Sequence, residues 1–468
     1  MGKKLHIHFM GIGGSALSGV SIMAKKAGFK VDGCDLEKNT SYLEKVKKEG
    51  IKVFTKHHKK HLIGVDILAA TPAVVFQNRK HPEYLVAKEK NIFMTWDEFL
   101  GKYLLENKET ICITGTHGKS TTTSLAALLF EKAELDPSVI IGAKIGEWTT
   151  NYRVGKGKYF IIEADDFYEK FLNYRPSTII LNNIEYDLTD FFSSENDMIS
   201  SYLKFIRLLE GRKNLILNQD SLGNEKLFSI LPKSLSKRIN IFGYTFFENP
   251  RISIRNSVKI VLKSKDDRGC VFSLESNTLD LNNKYYLSIP GEYNVANATG
   301  VIVLAKIYGI KDSVISKVLK EFKGVERRLD LIGEKGGIKV YDDYAHHPTA
   351  IKLTLEALRQ KYSKNKIWAV IEPHSYSRTK ALLPLYKGAF KFADKVIIGP
   401  IYKARDTQKF GVDSFSIVTM SGHKDVRFVS TSAQIANLVR KEAKDGDVIV
   451  VMGAGYSYKW SRKILERL

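Results

Sequence analysis

The residues Gly115-Thr116-His117-Gly118-Lys119-Ser120-Thr121 stand between an apolar stretch at 110–114 and a helix-forming one at 121–133. Residues of these types in this order handle phosphate. Glycines let backbone N–H groups turn inward around phosphate oxygens, and the following helix N-terminus adds partial positive charge. Lys119 is placed to reach the β- and γ-phosphates of a nucleoside triphosphate, and the Ser120 hydroxyl to ligate Mg²⁺. Only two residues separate Gly115 from Gly118, so the loop is shorter than the general G-x-x-x-x-G-K-[ST] form. A plain glycine turn with a capping serine is the competing reading, and the strand–loop–helix setting argues against it. A metal on phosphate needs a carboxylate at a nearby strand end, which is where α/β folds place ligands. Glu163-Ala164-Asp165-Asp166 closes such a strand, 159–163. Glu163, the last strand residue, is the expected Mg²⁺ ligand, whereas Asp165 and Asp166 read equally well as helix caps.

A second glycine-rich turn, Gly11-Ile12-Gly13-Gly14-Ser15, follows the apolar stretch 5–10, and Asp35 follows the strand expected at 29–33. This is a βαβ opening. Taken alone, Gly11-x-Gly13-x-x-Ala16 with Asp35 also fits a nicotinamide-dependent oxidoreductase. The loop at Gly115 is superfluous for such an enzyme. In His57-His58-Lys59-Lys60-His61 two histidines stand three apart, but the adjacent lysines repel a cation, so the cluster reads as an exposed face.

The elements that must carry these residues fall into three α/β modules: residues 1–107, 108–325 and 326–468. In the first, the run 66–70 is a further strand, ending at Thr71, and a helix at 99–105 precedes the polar break at 106–107. In the second, strands are expected at 110–114, 159–163 and 178–182. Short alternating segments between about 240 and 287 then predict an antiparallel excursion, and a helix returns at 294–308. In the third, strands at 339–341, 367–371, 395–398 and 448–452 alternate with helices at 349–361, 382–392 and 432–444, a doubly wound pattern.

Length and composition agree with several domains of a soluble globular protein: 468 residues, 44% hydrophobic and 26% charged. Subtracting 51 acidic from 73 basic residues leaves a charge of +22. The lysines lie in scattered runs that read as solvated surface, and no basic stripe with interleaved aromatics predicts nucleic-acid binding. Cys34, Cys112 and Cys270 lack paired spacing, which argues against a disulfide framework or zinc motif and for a reducing compartment. With no signal-peptide pattern and no membrane-length apolar run, the expectation is a cytoplasmic protein, monomer or homodimer, with no membrane partner.

Beyond the two loops, the chain holds Asn183-Ile184-Glu185, Gly291–Asn297, Arg327-Arg328, Tyr341-Asp342-Asp343-Tyr344-Ala345-His346-His347-Pro348, Pro373-His374-Ser375-Tyr376-Ser377-Arg378-Thr379 and Met452-Gly453-Ala454-Gly455. In this order, with Thr114–Thr121, the set resembles the Mur ligases, which build the peptide stem of the bacterial cell wall. The resemblance spans essentially the whole chain. It implies three domains: an N-terminal Rossmann-like domain for UDP, a central P-loop-type ATPase with a mixed sheet, and a C-terminal Rossmann-like domain for the amino acid. Within the family the chain is most similar to the member that joins L-alanine to UDP-N-acetylmuramate using ATP and Mg²⁺. The runner-up is the recycling member that adds an intact tripeptide. Leu181–Glu185 and Ala345 lean toward recycling, while His374–Thr379 and Met452–Gly455 lean toward L-alanine and lie in the domain that chooses the incoming group.

The resemblance also implies roles. Gly115, Thr116, His117, Gly118, Lys119, Ser120 and Thr121 hold ATP, with Asn294 and Asn297 near adenine or the γ-phosphate. Arg328 and Asp343 complete that site when the domains close, and Ser120 and Glu163 hold Mg²⁺. Gly11, Gly13, Gly14 and Ser15 face the UDP pyrophosphate, and Asp35 and Thr71 lie near uridine. His347 and Arg378 orient the reacting carboxyl groups, Arg378 by a bidentate grip on the alanine carboxylate. Lys119, Arg328, Asp343, His347 and Arg378 are thus the expected catalytic set. Three positions depart from the family pattern. Leu188 replaces a metal-binding His, leaving Asp187 or Asp190 to substitute; Tyr293 replaces a His before Asn294; and Tyr456 replaces an Asp after Gly455.

Overall fold

The structure, a computed structural model, describes residues 4–281 and 283–468; the side chains of Phe76 and Gln77 lie outside that description. Three sheets follow one another along the chain. The first holds β1 (His6–Met10), β2 (Lys30–Cys34), β3 (Lys52–Phe54), β4 (Ile67–Ala70) and β5 (Phe93–Thr95). All pair in parallel in the order β3-β2-β1-β4-β5. Every residue of β1 and β4 is buried, as expected of parallel strands covered on both faces. The strand order reverses between β1 and β4, and the Gly11–Ser15 turn leaves β1 at that switch point, where such sheets open a ligand crevice.

The second sheet has ten strands: β6 (Glu109–Thr114), β7 (Ser138–Ile145), β8 (Thr150–Arg153), β9 (Tyr159–Glu163), β10 (Thr178–Leu181), β11 (Asn214–Asn218), β12 (Asn240–Thr245), β13 (Asn256–Asp266), β14 (Gly269–Ser276) and β15 (Lys284–Leu287). β6 sits between β10 and β9, parallel to both. The phosphate loop therefore leaves the sheet beside Glu163 and beside Asn182-Asn183. The antiparallel excursion expected from residue 240 begins later. β12 pairs in parallel with β11 and β13, and after residue 240 the antiparallel pairs are β13–β14 and β14–β15; at the other edge β7 and β8 also pair antiparallel. The helix Glu292–Ile307 is buried from Asn294 through Ala305. A helix apolar on all sides belongs inside a domain, and its first two turns carry Asn294 and, against Gly118 of the phosphate loop, Asn297.

The third sheet runs β16-β17-β21-β18-β19-β20, from β16 (Asp330–Lys335), β17 (Ile338–Asp343), β18 (Ile367–Glu372), β19 (Lys395–Ile398), β20 (Val426–Phe428) and β21 (Val448–Gly453). β16 is an antiparallel edge strand and the rest are parallel. The helix expected at 382–392 lies earlier, at Tyr376–Leu382, followed by a 3₁₀ turn at Leu383–Tyr386. Pro384 stands at that break, and with no backbone N–H it cannot donate to the Lys380 carbonyl and continue the α-helical ladder. No helix among the described residues is long and apolar enough to cross a membrane.

Two adjacent arginines have different fates. Arg327, at φ +60°, donates from Nε to Asp342 (2.9 Å) and from Nη2 to the Gly453 carbonyl (2.9 Å) and the Ser457 hydroxyl (3.0 Å). It clips the start of the third domain to the ends of β17 and β21, while Arg328 turns to the cleft. Removing Arg327 strands a buried Asp342 carboxylate, which costs roughly 3 kcal/mol. Arg327→Ala is expected to lower the urea midpoint of unfolding by that equivalent; an unchanged midpoint contradicts the clip.

Candidate active site

The carboxyl ends of the three sheets converge on one cleft of about 1540 Å³, lined by residues of both glycine-rich loops and of the third domain. At its centre the phosphate loop turns on two glycines in left-handed backbone, Gly115 (φ +129°) and Gly118 (φ +79°). A Cβ at Gly115 would stand 2.7 Å from the Asn183 carbonyl, and one at Gly118 would stand 2.5 Å from Asn297 Oδ1. The N–H groups of Thr116 and His117 donate to the Asn183 carbonyl (3.0 Å) and side-chain oxygen (2.9 Å). Gly118 caps the helix Lys119–Lys132, which starts with Lys119, Ser120 and Thr121.

Lys119 Nζ donates to the Gly115 carbonyl at 2.6 Å and lies 3.4 Å from Asp166 Oδ1. Burial works against its charge, but Asp166, Asp165, Glu163 and Asp187 together hold its pKa above the usual lysine value. The Ser120 hydroxyl donates to Glu163 Oε1 at 3.1 Å, and Gly142 N–H donates to Glu163 Oε2 at 2.7 Å. Two oxygens of the kind Mg²⁺ prefers thus stand side by side next to the loop. Lys170 pairs with Asp165 at 2.5 Å, a contact the sequence did not signal.

The segment after β10 joins this loop to the third domain. Glu185 lies 2.8 Å from His117 Nε2, accepts from the Thr349 hydroxyl at 2.5 Å and is 3.9 Å from His347 Nδ1. Burial raises its pKa, but His117, His347 and Thr349 prevail and bring it down to about 2. Asp187 accepts from Arg378 Nε at 2.6 Å, and Asp190 from Arg405 Nη2 at 2.5 Å. Asp187 and Asp190, the expected substitutes for the ligand missing at Leu188, are each engaged by an arginine in this arrangement. A different trio, His117, Glu185 and His347, has ligand atoms within 4.8 Å of one another there.

Arg378 departs from its expected geometry. Its Nε is occupied by Asp187, and Nη1 lies 2.6 Å from His374 Nδ1, so a full bidentate edge is not on offer in this arrangement. Asp343 accepts N–H from Leu329 (2.8 Å) and Ala345 (2.7 Å), and Arg328 lies 5.0 Å over the Tyr344 ring. Both line the cleft. His347 caps the helix Pro348–Lys361, accepting from Thr349 N–H through Nδ1 at 3.2 Å. Its Nε2 is buried without a hydrogen-bond partner among the described residues. In the first domain Gly11, Gly14, Ser15 and Thr71 line the cleft. Gly13 and Asp35 stand behind them: Asp35 accepts from Gly13 N–H (2.7 Å) and Glu37 N–H (2.9 Å) and shapes the turn.

Comparison with known proteins accords with this arrangement. Residues 6–107 match the description "Mur ligase family, catalytic domain", 113–305 "Mur ligase middle domain" and 327–455 "Mur ligase, glutamate ligase domain". The chain is 34% identical over 469 residues to the UDP-N-acetylmuramate–L-alanine ligase of Acetivibrio thermocellus, covering 99% of this chain and 96% of that one. It is 32% identical over 467 residues to the enzyme of the same name from Caldicellulosiruptor bescii, covering 98% of each. The chain belongs to the Mur ligase family. A Mur ligase structure from Thermotoga maritima, a UDP-N-acetylmuramate–alanine ligase, shares the fold with a TM-score of 0.76, 24% identity and 99% coverage of each chain. Membership also removes the oxidoreductase reading of the first glycine loop.

The cleft of this Mur ligase generates two predictions. Gly118→Ala forces a side chain into left-handed backbone and against Asn297, a strain of about 1–3 kcal/mol. ATP affinity measured by calorimetry is expected to fall by roughly tenfold or more; unchanged affinity contradicts the turn as drawn. The second concerns acid. Burial, with His117 for one and Arg378 for the other, lowers both His347 and His374 to about 4 from an ordinary 6.5. Between these values the unfolded chain binds more protons, so stability is full above 6.5 and is lost as pH falls toward 4. Urea unfolding should show that decline, and it should flatten in a His347→Gln, His374→Gln double variant. An equal slope in that variant assigns the loss elsewhere.

Proposed function

We propose that the chain forms the amide bond between L-alanine and the muramyl carboxylate of UDP-N-acetylmuramate, converting ATP to ADP and phosphate. The observation that carries this reading is the one cleft into which both glycine-rich loops and the β17 end of a third domain open. We assign residues 1–107 to UDP binding, 108–325 to ATP and 326–468 to the amino acid. The names of the full-length relatives support L-alanine as acceptor.

A carboxylate is a poor electrophile, so it must first gain a leaving group. A carboxylate oxygen attacks the γ-phosphorus, ADP departs, and an acyl phosphate remains. The alanine amine then attacks the carbonyl carbon, and the tetrahedral intermediate expels inorganic phosphate while the amine gives up its proton. The chain's part is positioning and charge stabilisation. Lys119 and the loop amides hold the phosphoryl oxygens, and Arg328 faces them from the third domain. Ser120 and Glu163 fit Mg²⁺ by donor type and proximity, and Mg²⁺ bound there would supply charge neutralisation for the phosphates. His347 is neutral at pH 7, given a pKa of about 4. With Nδ1 accepting from Thr349, the proton sits on Nε2 as an N–H donor for the acyl oxygen. Arg378 offers the alanine carboxylate its remaining edge once His374 moves aside.

Phosphate release from ATP with UDP-N-acetylmuramate tests the assignment, comparing L-alanine, other amino acids and the L-Ala-D-Glu-meso-diaminopimelate tripeptide. The expected result is turnover with L-alanine that disappears in Lys119→Ala, with the substrate-dependent rate down at least about a hundredfold. Turnover with the tripeptide alone would reassign the chain to recycling.

A further inference from the structure

The segment 57–61, expected to be an exposed face, is only half that. His58, Lys59 and Lys60 are exposed, but His57 and His61 turn inward. They meet Cys34 from β2, His8 from β1 and Glu83 from the helix Pro82–Glu89. The ligand atoms of His8, Cys34, His61 and Glu83 all lie within 4.8 Å of one another. His8, Cys34 and Glu83 are each fully buried, and none takes part in the cleft chemistry.

Several ligand-type atoms crowd one point here, although Glu83 also accepts from His58 N–H at 2.8 Å and lies 3.5 Å from His57 Nδ1. His8 Nδ1 lies 2.6 Å from the Asp32 carboxylate, so that nitrogen carries the proton and Nε2 presents a lone pair. This lone pair points at Cys34 Sγ from 3.2 Å. Glu83 Oε2 faces the same sulfur from 3.3 Å and His57 Nδ1 from 3.0 Å. A thiol has one proton to give, so the lone pairs of His8 and Glu83 cannot both be met by it. His61 Nδ1 is 2.9 Å from Glu83 Oε1, and His81 Nδ1, close by, is buried with no hydrogen-bond partner among the described residues. A cation at the centre turns these opposed lone pairs into ligands. The carboxylate–histidine pairing of Asp32 with His8 fixes the ring as second partners of metal-bound histidines do.

We propose that the first domain holds one structural zinc ion through His8, Cys34, His61 and Glu83. One sulfur, two imidazoles and one carboxylate make the mixed donor set that a tetrahedral, borderline-soft divalent ion prefers. With metal bonds of about 2.0–2.3 Å, neighbouring ligand atoms stand roughly 3.5 Å apart. The observed Cys34–His8 and Cys34–Glu83 separations need change by only tenths of an ångström. His61 keeps a 14% exposed side chain, which gives the ion a way in. The ion would cross-link β1, β2, the turn Lys59–Leu62 and the helix Pro82–Glu89. Its consequence reaches the cleft, because the Cys34 carbonyl accepts the N–H groups of Gly11 (2.8 Å) and Ile12 (3.1 Å). Asp35, the next residue, accepts that of Gly13.

The test uses the full-length chain, free of affinity tags. After equilibration with zinc and removal of loosely bound ion, one zinc per chain is expected by elemental analysis. That zinc is lost in Cys34→Ser and in His61→Gln. Saturating zinc should raise the melting temperature of the wild type by at least about 5 °C relative to chelator-treated protein. Cobalt in place of zinc should give the wild type a thiolate-to-metal charge-transfer band, a readout that does not depend on whether a variant folds. Absence of both retained zinc and the cobalt band overturns the proposal, as does stoichiometric zinc that survives in folded Cys34→Ser.

Discussion

The cleft depends on one short strap, residues 182–190, which is bonded to the phosphate loop at one end and to the third domain at the other. Asn182 and Asn183 fix the loop backbone, Glu185 touches His117 and Thr349, and Asp187 and Asp190 take Arg378 and Arg405. The carboxylate contacts among them are charge-assisted, a class of bond about twice as strong as neutral ones. Residues far apart in sequence are therefore placed against Lys119 by a segment that itself carries no phosphate-binding group. Any motion of the third domain must break or remake these pairs.

The electrostatics of the loop come from the β9 end at 163–166 together with the strap's Asp187. Asp165, Asp166, Glu163 and Asp187 keep Lys119 protonated in spite of its burial. Burial and the neighbouring Arg378 keep His346 and His374 uncharged. The site so offers fixed cations at Lys119, Arg328 and Arg378 and neutral imidazoles at His347 and His374. Such an arrangement favours charge that develops on transferring oxygens without building excess positive repulsion.

Much of this was legible in the residues. Glycine spacing, apolar strands and acidic strand ends identified both loops, Glu163 and the three-module order, because backbone geometry and phosphate chemistry demand those residue types locally. β7, β8 and β11 escaped notice, and β12 was read in the wrong sense. Strand direction is set by distant partners, and period-2 alternation does not report it. Pairings also stayed hidden. Nothing in Arg327-Arg328 says which guanidinium is clip and which faces the cleft, and nothing in Asp187 announces Arg378. The histidines at 57 and 61 misled for the same reason: the lysines beside them are exposed, but Glu83, on a separate helix, draws the rings inward.

The central claim is that this cleft activates a carboxylate by phosphoryl transfer before the amine attacks. The direct measurement places a heavy oxygen isotope in the muramyl carboxylate of UDP-N-acetylmuramate and follows it through turnover with ATP and L-alanine. An acyl phosphate requires that one carboxylate oxygen leave with the expelled group, so each inorganic phosphate released should carry one labelled oxygen. Phosphate free of label, with the expelled labelled oxygen found in water or in AMP, would contradict that activation.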